Sequence, residues 1–530
     1  MKKNLKTQAL IIGGGATGTG VARDLSLRGV KCILVEKNDI NAGASGANHG
    51  LLHSGARYVS NDPESAKECR DENRLLKHMA PDCIEETGGL FVAVEGDNEK
   101  FIADFQGFCD SSGLFCRPMD VAEARAAEPA LSNKIIAAYA VEDASVDPFK
   151  LVLENITDAQ KLGCKFLRHL KVIAFHQKGG RIESVDLIEK ITRERVSIEA
   201  DIIVNATGAW AGQVAALAGA AISLIYSKGT LLITHSRITQ RVINRLRPPG
   251  DADILVPGGT VSIIGTTSLR MESLDEITPT IAEVDRIVAE GACMMPVLET
   301  ARYIRAYSGV RPLLGGGGKG DDRSVTRGFD LVDHARDGID NFITITGGKL
   351  TTFRLMAEKT SDMVCSRLGV SAPCLTRRIP LISSHETRWA VPGFSPKSWF
   401  SAHERDDLLL CECEMVPQSA IEEIVGYFDI FNKQADLKGI GKRSRIGKGS
   451  CQGNFCSLRI AAYLYDRDHL RSDQGASEIR SFINERWKGQ RCLLWDTPVI
   501  QAELQEAMHC GFFSLELCPD ASLHSQKETK

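Results

Sequence analysis

Four apolar residues in succession, Ala9–Ile12, run straight into a glycine-rich turn, and Val21, Leu25 and Leu27 follow at helical spacing. The pattern predicts a short buried strand, a tight turn and a helix with an apolar face. The run "CILVEK" predicts a second strand that ends on Glu36. Further along, "ADIIVNATGAW" (200–210) reads as a buried strand ending in Ala206-Thr207-Gly208. "GIDNFITITGGKLTTFRLMAEK" (338–359) reads as a strand, a Gly347–Gly348 turn and a helix starting near Leu350. The runs "GTLLITHS", "DADILVPGG" and "TVSIIGTT" are short and β-rich, separated by glycine and proline, and predict an antiparallel sheet. The loop "LLGGGGKGDDR" (313–323) offers little to hold it and is expected to be mobile. After Thr376 a proline- and serine-bearing stretch reads as a linker. Residues 478–517 carry amphipathic, helix-like text suited to covering a neighbouring module or binding another subunit. The longest lipid-like stretch, 214–226, is too short to span a bilayer.

Composition narrows the picture modestly. A chain of 530 residues has room for three or four domains and a large core. Its 64 basic and 68 acidic residues leave a net charge of −4, which gives no reason to expect nucleic acid as a partner. The basic N-terminus leads to an apolar run too short for a secretory signal, so the 16 cysteines are expected to stay reduced in a cytosol. Most of them are scattered. Cys411, Cys413, Cys451 and Cys456 are not: they form C-x-C, a spacer, then C-x-x-x-x-C.

Both conspicuous motifs carry chemistry. Gly13, Gly15 and Gly18 fit G-x-G-x-x-G at the end of a strand. The first permits the turn, the second lets a pyrophosphate approach the backbone, and the third lets helix and strand pack closely. Phosphates then rest on a helix N-terminus, and Glu36 is placed to bond a ribose 2′-hydroxyl, which argues against NADP. FAD is favoured over NAD by the later turn, whose helix would aim its positive end at a reduced flavin. Four thiolates in two pairs hold either a [2Fe–2S] cluster or one zinc ion, and the one-residue gap of C-x-C leans towards iron–sulfur. Lys438, Lys442, Arg443, Arg445 and Lys448 would offset the cluster's charge. Gly449 and Gly453 would bring backbone N–H groups to sulfur, and a helix from about Phe455 would add its dipole. Glu412 and Glu414 read as solvated strand charges.

The segments "IIGGGATGTG" (11–20), "HSGARY" (53–58), "NATGAW" (205–210), "IIGTT" (263–267), "YSGVRPL" (307–313), "TRGFDL" (326–331) and "GGKLTTFR" (347–354) together resemble the FAD-dependent glycerol-3-phosphate dehydrogenases, within the D-amino-acid-oxidase-like flavoproteins. "CECE" with "GKGSCQGNFC" resembles the bacterioferritin-associated-ferredoxin-like [2Fe–2S] domain. The resemblance implies an α/β fold: a Rossmann-like FAD-binding domain from 1–75, 141–215 and 331–372, and an antiparallel-sheet substrate domain from 76–140 and 216–330. A linker at 373–404, a small iron–sulfur domain at 405–465 and a helical region at 466–530 would follow. It adds Lys37, Ser45, Ala206, Gly208, Gly347, Gly348, Leu350 and Thr351 to the FAD site. Cys411, Cys413, Cys451 and Cys456 become the cluster ligands.

The implied reaction is oxidation of sn-glycerol 3-phosphate to dihydroxyacetone phosphate. Oxidising a secondary alcohol needs a hydride acceptor and a base for the hydroxyl proton, and histidine suits the second task. His53 is the first choice and His49 the second; the glycines around them argue against a helical metal pair. A phosphomonoester matches arginine's fork. The resemblance gives it Arg57, Arg311 and Arg327, with Tyr58 beside the substrate and Lys349 between substrate and flavin. It also implies electrons leaving through the cluster and two partners, one a second soluble subunit, the other a membrane-attached iron–sulfur subunit, to reach menaquinone. The chain would then be cytoplasmic and peripheral to the inner membrane. Two other readings are a flavin dehydrogenase of a 2-hydroxy acid or amino acid, and an electron-carrying protein without its own substrate.

Overall fold

The computed structural model describes residues 3–512 and 515, apart from 191, 316–325, 327, 382, 403–405, 431–434 and 472–473. The described chain forms two compact units, one from the N-terminus to Arg302 and from Tyr307 to Ser384, the other from His385 onward with Tyr303–Ala306.

The first unit contains two large sheets and a small three-stranded one formed by Leu51–Leu52, Ala144–Val146 and Ile84–Glu85. In one of the large sheets, the strand Lys3–Ile12 lies parallel to Cys32–Val35 on one side and to Arg195–Asn205 on the other. The far end of Arg195–Asn205 pairs in parallel with Phe342–Gly347, which pairs antiparallel with Phe329–Asp333. Parallel strands are covered on both faces and therefore read as continuous apolar runs; Leu10, Ile11, Ile33, Leu34, Ile203 and Phe342 are all buried. Each aliphatic side chain among them contributes about 1.5–3 kcal/mol by leaving water. The connecting helix Ala16–Leu27 packs on Phe353–Leu368, where a methyl on Gly20 would stand 3.0 Å from Ala357 Cβ. That helix is buried almost throughout, including Arg23 and Asp24, so its apolar face is less exclusive than Val21, Leu25 and Leu27 imply. Asp24 pairs with Arg28 at 2.7 Å, which in turn reaches Asp362.

The second sheet has nine strands in the order Leu269–Met271, Leu224–Thr234, Val261–Gly265, Ile254–Gly258, Val242–Arg245, Gly89–Val94, Ile135–Val141 and Cys116–Met119, with Tyr303–Leu314 also paired to Leu224–Thr234. Along that order neighbouring strands run antiparallel as expected, except that Val242–Arg245 runs parallel to Gly89–Val94. That junction joins the two halves of the discontinuous sheet, so no hairpin constrains its direction.

In the second unit one core takes in Cys411, Val416, Ile421, Ile424, Leu437, Ile440, Cys456, Ile460, Ile479, Phe482, Ile483 and Leu515, together with Trp389. The cysteine module is thus continuous in its packing with the helix Gln474–Trp487 and with the segment around Trp389, rather than closing near 465. Among the described residues, no helix is long and apolar enough to cross a membrane.

Candidate active site

The glycine turn is shaped around its neighbours. Gly13 adopts φ +116°, and a Cβ there would lie 2.5 Å from the Ala206 carbonyl oxygen. A Cβ on Gly18 would stand 1.9 Å from the Gly13 oxygen. No side chain caps the helix start at Gly15, so the first-turn N–H groups face a ligand site, apart from Ala16 N–H, which donates to Ser45 Oγ at 2.9 Å. Glu36 accepts from Gly14 N–H and Asn38 N–H, both at 2.8 Å, which fixes its carboxylate at the end of the second strand. Lys37 stands 3.8 Å over the Trp210 ring, and burial lowers its pKa. Gly208 at φ +58° opens the turn after Ala206. These residues fit a dinucleotide: a backbone cradle closed to any side chain, an open helix start and an acid at ribose distance along the chain.

The second turn lies at Gly347 and Gly348, with φ +84° and +70°. Only glycine adopts two such residues in succession without strain. Lys349 N–H bonds to Thr352 Oγ1 and Leu350 O receives Phe353 N–H, so the helix begins at Phe353, three residues later than the pattern predicts. Thr351 is buried, and its Oγ1 accepts from His53 N–H at 3.1 Å.

That bond ties the turn to the segment 49–58. Ser54 N–H donates to Asp143 Oδ1 at 2.7 Å, and Asn244 holds the other oxygen of Asp143 at 3.0 Å. Asn73 bonds the Leu52 carbonyl at 3.0 Å. His53 Nε2 meets the Tyr58 hydroxyl at 3.3 Å, Lys349 Nζ lies 5.0 Å over the Tyr58 ring, and the His49 and His53 rings are 6.1 Å apart. Burial, then the positive charges of Arg311 and Arg57, push the His49 pKa down to about 3, so the ring is neutral at physiological pH. His49 lies on no helix, and its Nδ1 accepts from Leu51 N–H at 3.2 Å.

Arg57 and Arg311 are each anchored. Arg57 Nη2 pairs with Asp253 at 3.1 Å. Arg311 donates to Thr266 Oγ1 and to the Thr267 carbonyl. It lies flat over Gly229, where a Cβ would meet its Nη2 at 2.5 Å. Arg327 and residues 316–323 of the glycine loop lie outside the described residues. Asp143, Asp253 and Gly229 are not marked by the sequence because each acts on a residue far along the chain, with no local motif; Thr266 lies in the segment "IIGTT", which does not show that it receives Arg311.

In the second unit the four singled-out cysteines come together. Cys411 and Cys413 sulfurs are 3.7 Å apart, as are those of Cys413 and Cys451. Cys456 interacts with both Cys411 and Cys451. Two thiolates sharing a tetrahedral ion through bonds of about 2.3 Å stand about 3.8 Å apart, a spacing that these two pairs match. Among the described residues, no three ligand-type side chains are arranged as a site for one ion. Gly449 leaves the room that Cys413 needs, since a Cβ would stand 2.4 Å from its sulfur. The helix Cys456–Asp466 begins at the last cysteine. Cys451 is pulled towards thiolate by donation from Cys413 and Cys456 and by the backbone N–H groups of Gly453 and Phe455. Glu414 is not a solvated strand charge: it lies in a turn, 15% exposed, and pairs with Arg445 at 3.0 Å. Glu412, in the same turn, reaches Arg459 at 3.0 Å but stays solvated as expected, 66% exposed.

The chain belongs to the FAD-dependent oxidoreductase family, whose model matches residues 8–363. Within that family it stands among the FAD-dependent glycerol-3-phosphate dehydrogenases. It is 41% identical to one subunit of the anaerobic glycerol-3-phosphate dehydrogenase of Escherichia coli strain K12, over 96% of this chain and 97% of that one. It is 38% identical to a like-named subunit of the Haloferax volcanii enzyme, over 98% and 93%. The crystal structure of the glycerol-3-phosphate dehydrogenase from Bacillus halodurans complexed with FAD shares the fold, with a TM-score of 0.54 at 20% identity, covering 98% of this chain and 90% of that one.

Proposed function

We propose that the first unit oxidises sn-glycerol 3-phosphate to dihydroxyacetone phosphate, and that the second passes the electrons onward. FAD, held by Gly13, Gly15, Gly18, Glu36, Lys37, Ser45, Ala206, Gly208 and the turn Gly347–Thr351, supplies the hydride acceptor. The observation that carries the reading is that two anchored guanidiniums, Arg57 and Arg311, both act electrostatically on one imidazole, His49, whose ring is 6.1 Å from that of His53. The cations bind the phosphomonoester, with Arg327 as a third, and a histidine accepts the hydroxyl proton. His53, steadied through Thr351 and Tyr58, takes that proton; His49 is the alternative acceptor. Lys349, whose Nζ lies over the Tyr58 ring, is assigned to the position between substrate and flavin.

Cys411, Cys413, Cys451 and Cys456 are assigned to a [2Fe–2S] cluster, supported by their C-x-C and C-x-x-x-x-C spacing and by sulfurs at metal-sharing distance. The relatives are named as subunits, which supports a complex. In it two partners, a second soluble subunit with a membrane-attached iron–sulfur subunit, pass electrons to menaquinone, which keeps this chain cytoplasmic and peripheral to the inner membrane. Anaerobic titration tests the reading. sn-Glycerol 3-phosphate should bleach the flavin bands, whereas 2-hydroxyglutarate and amino acids should not. Bleaching by a 2-hydroxy acid alone, or by no small alcohol at all, would replace it with one of the two other readings.

A further inference from the structure

The two guanidiniums of the proposed phosphate site are aimed from a single place in the second sheet. The strands Ile254–Gly258 and Val261–Gly265 pair antiparallel with Ile254 opposite Gly265. Ala252 N–H continues the ladder one step further, to the Thr266 carbonyl at 3.2 Å. Asp253 and Thr266 therefore project from adjacent strands at the same end of one ladder. Thr266 and Thr267 receive Arg311. Asp253, fully buried, receives Arg57 Nη2 at 3.1 Å, and the Gly250 carbonyl accepts from the same nitrogen at 3.4 Å. Both anchors engage Nη2, so Nε and Nη1 of Arg57 carry no bond to a described residue.

We propose that Asp253 is a positioning residue for phosphate recognition: by gripping one nitrogen of Arg57 it turns the remaining N–H groups of that guanidinium towards the substrate, in register with Arg311. The inference rests on the reading of Arg57 and Arg311 as phosphate ligands. Arginine loses much rotamer freedom when it binds, and a guanidinium fixed beforehand has already met that cost. Asp253 also accepts from Arg247 Nε at 2.9 Å through its other oxygen, and Arg247 reaches Glu290 at 2.9 Å. The carboxylate is thus held from behind and cannot swing with Arg57.

Geometry and charge give opposite signs here. Considered as charge alone, Asp253 repels a phosphate, so its removal should tighten binding. Considered as a clamp, its removal should loosen binding. Steady-state kinetics with a dye acceptor on the full-length holoenzyme separates them. Asp253→Ala is expected to raise the KM for sn-glycerol 3-phosphate at least ten-fold and to weaken competitive inhibition by inorganic phosphate, with kcat within about two-fold. Asp253→Asn must face an amide N–H₂ towards one of the two arginines, and should give the same direction with a smaller size. Where the alanine variant fails to retain flavin, the asparagine variant is the one read. Arg247→Ala removes the group that steadies the carboxylate and should raise KM in the same direction, by less than Asp253→Ala does. An unchanged or lowered KM in the Asp253 variants overturns the proposal. Arg57→Ala keeps the two levels apart: if it leaves KM unchanged, the phosphate reading itself falls, and if it raises KM while the Asp253 variants do not, only the positioning role falls.

Discussion

Phe482 packs under the loop that carries the second pair of cysteines. It sits on the helix Gln474–Trp487 and is 3% exposed. Its ring faces three glycines so closely that a Cβ on Gly441, Gly447 or Gly453 would stand 3.1, 2.6 or 2.7 Å from a ring atom. A buried aromatic side chain withdraws about 150–250 Å² from water. At about 25 cal/mol per Å² this is worth about 4–6 kcal/mol, of which Phe→Ala substitutions in cores typically lose about 3–5 kcal/mol. Three glycine faces offer no side chain to relax into the hole, so Phe482→Ala should fall in the upper half of that range. The loss is confined to the second unit's core, and it frees Gly447–Gly453, the stretch that places Cys451. The expected result is a lower-melting transition, less iron per chain, and faster loss of the remaining iron to a chelator. Anaerobic reduction of the flavin by sn-glycerol 3-phosphate should survive. Phe482→Leu, which fills most of the hole, should lose no more than about 1.5 kcal/mol, as a near-volume-conserving swap does. Wild-type iron content and an unshifted transition in Phe482→Ala would refute the argument that this ring supports the cysteine loop.

Other expectations follow from the same geometry. Arg311→Ala should raise the KM for sn-glycerol 3-phosphate by one to two orders of magnitude, as loss of a charge-assisted contact worth about 1.5–3 kcal/mol implies; an unchanged KM speaks against a phosphate role. Cys451→Ser should abolish the iron–sulfur absorption while leaving substrate reduction of the flavin intact, and collapse of flavin binding would show that the two centres are not separable. His49 protonates at about pH 3 when folded but near 6.5 when unfolded, so between those values the unfolded chain takes up a proton that the folded chain refuses. Stability should therefore fall as pH drops through that window, by at most about 1.4 kcal/mol per pH unit, and be unaffected above it. His49→Asn should flatten this acid slope in denaturation midpoints, and identical slopes in the two proteins count against the neutral ring.

The legible parts of this molecule are those whose chemistry is written locally. Gly13, Gly15, Gly18 and Glu36 announce a dinucleotide cradle because turn, helix start and strand end all fall within one short stretch. The two cysteine pairs announce themselves by spacing. The helix at Phe353 is announced too early because a Lys349–Thr352 turn intervenes, and that turn depends on side-chain bonds rather than on periodicity. Glu414 reads as a surface charge because its partner Arg445 lies 31 residues away. Asp143 and Asp253 are acidic residues in β-rich text, and only the folded sheet shows that they hold Ser54 and Arg57. The run Gln474–Trp487 is legible as a helix, but which module it completes is decided by three glycine gaps that Phe482 fills.

The parallel sheet of the first unit has a consequence for how the chain is made. Its opening strand ends at Ile12, and the strand that completes the parallel set begins at Phe342, 330 residues later. A ribosome adding about 5–20 residues per second takes roughly 15–65 seconds to cover that gap. From the completion of Arg195–Asn205 until Phe342 emerges, the nascent polypeptide presents Ile203 and Val204 on an unfinished edge, the kind of exposed strand that invites aggregation, and the nucleotide can stabilise the body only after most of the message has been read.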